Sequence, residues 1–255
     1  MRTIVKYVVM DLFRNRIVLG YMLMLLFVTA GIFQMDSNIT KGLMSLMNLT
    51  LIIVPLVSII FSTIYVYNSS EFIELMLAQP IQRSALWLSI YLGLALSLCT
   101  AFVVGVGIPL LLFAFSGTGL IMLFSGVILS VVFVGIALWA SIYTRDKAKG
   151  IGIAILLWFL MTVIYDALVL AVVFQLNEYP LEKPMILLTL LNPVDLARVM
   201  ILLKLDLSAL MGYTGALFRE FLGSKQGFTV AMLMLIIWSF LPVVYSLKKF
   251  KSKDL

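Results

Sequence analysis

Apolar residues come along the chain in six long blocks, 17–33, 43–66, 86–115, 120–143, 151–174 and 228–247, and these blocks carry a single charged side chain, Asp166. Crossing a hydrocarbon core of about 30 Å takes roughly 20 apolar residues, and every backbone polar group within it must be paired inside the segment, so each block predicts a transmembrane helix. The first block is the shortest. The third would measure about 45 Å as one straight helix. Gly105, Gly107 and Pro109 fall inside it, which predicts a kink or a break.

The polar stretches between the blocks have their own patterns. In residues 1–16, Ile4, Val5, Val8, Val9, Leu12 and Phe13 share one helical face, while Arg2, Lys6, Arg14, Asn15 and Arg16 fall mostly on the other. This is the pattern of an interfacial helix leading into the first span; no small-x-small cleavage site follows, so it does not read as a cleavable signal. Connections 34–42, 116–119 and 144–150 are short. Segment 67–85, YNSSEFIELMLAQPIQRSA, predicts a short amphipathic helix: Ser69 or Ser70 as cap, Glu71 and Glu74 in the opening turn, and Gln79-Pro80 as the stop. It reads either as an interfacial connector or as a docking element for a soluble partner. Segment 175–227 is too long for a turn and too apolar for disorder. Asn192-Pro193-Val194-Asp195 is a helix start, with Leu196, Val199, Met200 and Leu203 on one face, and Asp206 or Ser208 opens another helix toward Leu222 and Gly223. Polar residues inside 185–203 argue against a seventh span there, so this segment predicts an external cap of two or three short helices lying on the membrane.

Composition agrees with an all-α polytopic membrane protein forming one transmembrane domain over 1–255. The 255 residues are 63% hydrophobic and 12% charged, with a mean hydropathy of +1.16. With the amino terminus inside, twelve of the eighteen Lys and Arg flank the spans on the inner side and six on the outer, five of the six within the long loop. That bias places both termini in the cytoplasm, in the cytoplasmic (inner) membrane of the cell. The net charge of +6 then reflects topology and contact with anionic lipid; basic residues spread over span ends do not make a nucleic-acid surface.

Candidate chemistry is sparse. Histidine is absent and Cys99 is the single cysteine, so histidine-based catalysis, zinc motifs and disulfides are excluded, and no paired carboxylates offer acid–base machinery for an intramembrane enzyme. The dipeptide Gly-Lys does not occur, which rules out a P-loop; any ATP and Mg²⁺ belong to another chain. Asp166 is either a pathway or gating residue, and then the basis for an ion-coupled carrier, or a carboxylate reaching the headgroups or pairing within the bundle. The fifteen methionines, with close pairs at Met22/Met24, Met44/Met47 and Met232/Met234, read as core packing rather than a Cu(I) site, and no metal site is assigned. The sequons at Asn38, Asn48 and Asn68 carry little weight, since one falls inside and one within a span.

Taken together, six spans, the amphipathic amino-terminal elbow, an inner E-x-x-E-L-x-L-x-Q-P-I-x-R connector and a large external segment before span six resemble the permease subunits of type-2 ABC exporters over essentially the whole chain. The resemblance implies that the inner connector is a coupling helix seated on a dimeric cytoplasmic ATPase, a role that would fall to Glu71, Glu74, Gln79, Pro80 and Arg83, and that the permease pairs with a second copy of itself. It departs at Leu86–Tyr91, where the family often has a lysine. Leu191–Arg198 with Leu210–Ala216 is similar, more narrowly, to permeases of the Nos copper-maturation transporters. That implies a role in loading the copper centres of nitrous oxide reductase, with an external β-helix protein of the NosD type docking at Asn192, Pro193, Asp195, Arg198 and Tyr213. A generic exporter of lipid, peptide or drug is the alternative.

Overall fold

The computed structural model describes residues 2–35, 38–175, 182–205 and 225–252. The described residues are helical apart from short turns, and six helices are long and apolar enough to cross a membrane.

The elbow α1 (Arg2–Arg14) precedes span one, α2 (Arg16–Met35), and Asn15 separates them, its Oδ1 accepting from Ile17 N at 2.8 Å. Span two is α3 (Ile39–Asn68), capped by Asn38 through Thr40 N at 2.9 Å, which gives the first sequon a structural reason to exist. It runs with scarcely a break into α4 (Ser70–Leu77). Span three joins α5 (Arg83–Phe102) through a wide π-turn, Val103–Gly107, to α6 (Ile108–Phe113). The glycine–proline stretch thus yields an expanded turn inside one long helix rather than a break. Pro109 has no N–H and its ring crowds the carbonyl four residues back, and a wide turn just upstream relieves that crowding. Span four is α7 (Gly117–Ser141). Span five joins α8 (Lys147–Phe159) through a second π-turn, Leu160–Ile164, to α9 (Tyr165–Gln175). Two short helices follow, α10 (Glu182–Leu191) and α11 (Pro193–Lys204), and then span six, α12 (Lys225–Lys251).

Packing centres on α3 against α7, with α12 on the other side of α7 and α8 against α3. The α7 face turned inward is rich in small residues, Ser125, Gly126, Ser130, Gly135 and Ala137, which let helices approach where lipid gives no hydrophobic drive for association. The elbow packs along α5. Val8 and Leu12 are fully buried there, and Val8 sits in the space that any side chain at Gly93 would need. Of the predicted stripe, Ile4, Val8 and Leu12 face the bundle, while Phe13 is exposed. Gly105 serves α2 in the same way: a Cβ there would lie 2.7 Å from Leu25 Cβ and 2.9 Å from Met22 O. Span five is peripheral, with 11% of its apolar window buried against 61% for span four.

The segment before span six departs from its expectation in depth. The helix start at 192–193 forms as predicted, with Asn192 capping α11 through Val194 N at 3.0 Å and Pro193 in the first turn, and α10 precedes it. The chain bends by 114° between α10 and α11, and the vertex at Asn192 reaches Met161, midway along Lys147–Gln175. The pair forms a bent hairpin whose second helix, α11, packs against α3, α7 and α12. The reason is visible in α11, where every residue from Pro193 to Leu202 except Arg198 is buried; so apolar a helix is more stable inside the bundle than on it. The predicted helix from Asp206 or Ser208 to Leu222, and Tyr213 with it, lie outside the described residues.

Candidate functional site: the surface of α4 and the hairpin before span six

One end of the bundle, the one that the Lys and Arg bias predicts to be inner, gathers α1, α4, the α7–α8 turn and the end of α12. Tyr7 stacks on Phe72 of α4 with ring centroids 6.3 Å apart. Trp87 stacks on Phe250 at 4.2 Å and donates from Nε1 to Ser246 Oγ at 2.6 Å. α1 therefore touches α4, and the end of α12 lies against the start of span three. Trp87 also occupies the stretch where the family often has a lysine, and here it ties span six to span three.

On α4 one side is anchored and the other is open. Ile73 is buried, Met76 and Leu77 pack against the core, and Leu75 is 69% exposed. Glu71, Glu74, Gln79, Pro80 and Arg83, the five residues assigned to coupling, are each exposed, as is Leu75. The cap differs from expectation. Ser69 stands at the cap position but makes no side-chain cap bond, because its own N–H already bonds Tyr65 O at 2.9 Å and continues the turn from α3. Glu71 in the first turn supplies the favourable charge instead. The helix ends at Leu77, just ahead of Gln79-Pro80.

Behind α4 lies a cavity of about 250 Å³, lined by Tyr67, Ile73, Glu74, Trp87, Arg145 and Phe250 among others. The α7–α8 turn closes its side: Tyr67 donates its hydroxyl to Thr144 O at 3.1 Å, and Lys147 Nζ donates to Asn68 Oδ1 at 2.7 Å. The sequence gives no sign of these contacts, since each joins residues more than seventy positions apart. Their one local signal is Asp146, which caps α8 through Ala148 N at 2.8 Å and Lys149 N at 3.2 Å.

At the outer hairpin, several polar groups of span five, the hairpin and span six pair with one another. In the π-turn of span five, Tyr165 N–H reaches back five residues to Leu160 O, so Met161 O loses its helical donor. Asn192 Nδ2 donates to that vacated carbonyl at 2.7 Å while its Oδ1 caps α11. Tyr165 OH donates to Leu188 O at 2.6 Å, and Trp238 Nε1 of span six donates to Leu190 O at 3.3 Å. One turn further out, Arg198 Nη1 donates to Asp166 Oδ2 at 2.7 Å and to Asp195 Oδ1 at 3.1 Å. Asp166 therefore pairs within the bundle, across 32 positions, with an arginine that the sequence placed on an external surface. Asn192, Pro193 and Asp195 are buried and Arg198 is half-buried, so these four are turned into the chain. Cys99 donates its thiol to Val127 O at 3.6 Å. Among the described residues no group of three or more His, Cys, Asp or Glu is placed to hold a metal ion.

Comparison with known proteins gives this geometry a context. The family model described as ABC-2 family transporter protein matches residues 22–255. The chain is 26% identical over 255 residues, 91% of its own length and 90% of the relative's, to the "Probable ABC transporter permease protein NosY" of Stutzerimonas stutzeri. It is also 26% identical over 235 residues, 82% of the chain and 84% of the relative, to the protein of the same name from Pseudomonas aeruginosa. With six apolar helices and a family match over nearly all its length, the chain is a multi-pass membrane protein of the ABC-2 transporter permease family, similar to NosY.

Proposed function

We propose that the chain is the non-catalytic membrane subunit of an ABC transporter that couples ATP hydrolysis by a separate cytoplasmic ATPase to motion at its outer face, in the maturation of the copper sites of nitrous oxide reductase. It works as a dimer of two copies in the cytoplasmic membrane, with both termini and α4 inside. ATP and Mg²⁺ belong to the ATPase, and this chain binds no cofactor.

The observation that carries the coupling role is α4 itself: a helix anchored by Ile73 that turns Glu71, Glu74, Leu75 and, just beyond it, Gln79, Pro80 and Arg83 to the aqueous side. An exposed leucine flanked by acids is a docking surface in need of a partner. Arg83 begins span three, so a push on this surface is delivered directly to a transmembrane helix. The copper assignment rests on the Leu191–Arg198 resemblance and on likeness to permeases named NosY. An outer protein of the NosD type would dock on the segment between spans five and six, with Asn192, Pro193, Asp195 and Arg198 shaping that surface from within.

Co-expression with the cognate ATPase tests the coupling reading. Wild-type chain retains the ATPase through affinity purification, and Glu71→Arg with Glu74→Arg loses it; full retention by the double variant would reject α4 as the docking element. Copper content of nitrous oxide reductase in cells lacking the chain tests the narrower role. A full copper complement would remove that role and leave the permease assignment in place.

A further inference from the structure

We propose that the outer half of span five is a movable leaf, hinged at the wide turn Leu160–Ile164 and latched to the bent hairpin by Arg198 held between Asp166 and Asp195.

The inner and outer halves of this span are held in different ways. Below the turn, α8 packs along α3, and Trp158 donates from Nε1 to Ile52 O at 3.2 Å. Above it, α9 has no buried residue and packs closely against no other described helix. Among the described residues, the hydrogen bonds and ion pair that secure α9 lie at its first two residues: Tyr165 OH on Leu188 O, and Asp166 on Arg198. A π-turn is a frequent site of local adjustment in a helix, since its hydrogen bonds are longer-ranged and one carbonyl is released. Here the released Met161 carbonyl is clamped by Asn192 at 2.7 Å, which fixes the pivot to the hairpin vertex.

The charges suit a bond that must open. A guanidinium stripped of its only counterion inside a membrane protein is strongly destabilising. Arg198 avoids that state because Asp195 stands one turn back on its own helix, at 3.1 Å. Releasing Asp166 leaves Arg198 still paired. Asp166, the more exposed of the two carboxylates, can then turn toward water at the outer face. The latch therefore has a closed form with the three side chains joined and an open form in which no cation is stranded. Tyr165 adds a neutral bond that breaks with it.

The place of this leaf in a transport cycle rests on the reading above, but the latch belongs to the lone chain and is tested without the ATPase. In a Cys99→Ser background, spin labels at Leu170→Cys on α9 and Leu120→Cys at the outer end of α7 report the leaf. Labels at Ile153→Cys on α8 and Leu96→Cys on α5 report the inner half. All four parent residues are exposed. The full chain is held in lipid nanodiscs and diluted with unlabelled copies, so that only distances within one copy are read. The expected result is one narrow outer distribution with Asp166 present. Asp166→Asn and Tyr165→Phe add a longer-distance population, Asp166→Glu restores the narrow form, and the inner pair is unchanged throughout. An outer distribution unaffected by Asp166→Asn would overturn the latch. So would equal broadening of both pairs, because the hinge would then not lie at 160–164.

Discussion

Asn192 is the residue whose environment explains most. It faces two helix ends at once, capping α11 with its oxygen and filling the carbonyl vacated in span five with its amide. Asn192→Ala removes a cap and orphans a buried carbonyl, so a loss of about 2–4 kcal/mol is expected, read as unfolding midpoint in detergent or bicelles. Trp87 offers a graded comparison at the other end of the bundle. Trp87→Phe keeps the stack on Phe250 and loses only the bond to Ser246, costing about 1 kcal/mol. Trp87→Ala also loses the stack and opens space, costing about 3–5 kcal/mol in the same assay. Equal effects of the two would mean that the ring contributes nothing to joining spans three and six.

At the scale of elements, the spans, the elbow and the helix start at 192 were legible because each rests on local physics: unbroken apolar length, a helical stripe, or an Asn-Pro cap. The depth of the hairpin was not. Polar residues in 185–203 argue for the surface only if their partners are unknown, and the partner of Asn192 is a carbonyl freed by a wide turn in Leu160–Ile164, a stretch with neither glycine nor proline. Asp166 was visible as the one intramembrane charge, yet its partner lies 32 residues away on another helix. The same locality explains Ser69, a sound cap by type whose backbone is already committed to α3. The close seat of α2 on Gly105 adds a prediction at this scale. Gly105→Leu would drive its side chain into Leu25 and the Met22 carbonyl, destabilising by about 1–3 kcal/mol in the unfolding assay and loosening span one first. Stability equal to wild type would show that α2 does not seat there.

At the scale of the whole molecule, the chain is a frame in which the best-packed helices, α3 and α7, run from α4 to the hairpin before span six. α3 continues into α4 at its inner end, and α7 is bound at its outer end to α11, where Thr118 Oγ1 donates to Lys204 O at 3.4 Å. A force applied at α4 can therefore reach the hairpin through stiff elements rather than through loops. All of this requires that the two ends face opposite sides of the membrane. The direct measurement is labelling by a membrane-impermeant maleimide in a Cys99→Ser background, in intact spheroplasts and in inverted vesicles. Leu75→Cys is expected to react only in inverted vesicles and Lys204→Cys only in spheroplasts. Reaction of both from one side would contradict the coupling of an inner motor to an outer hairpin.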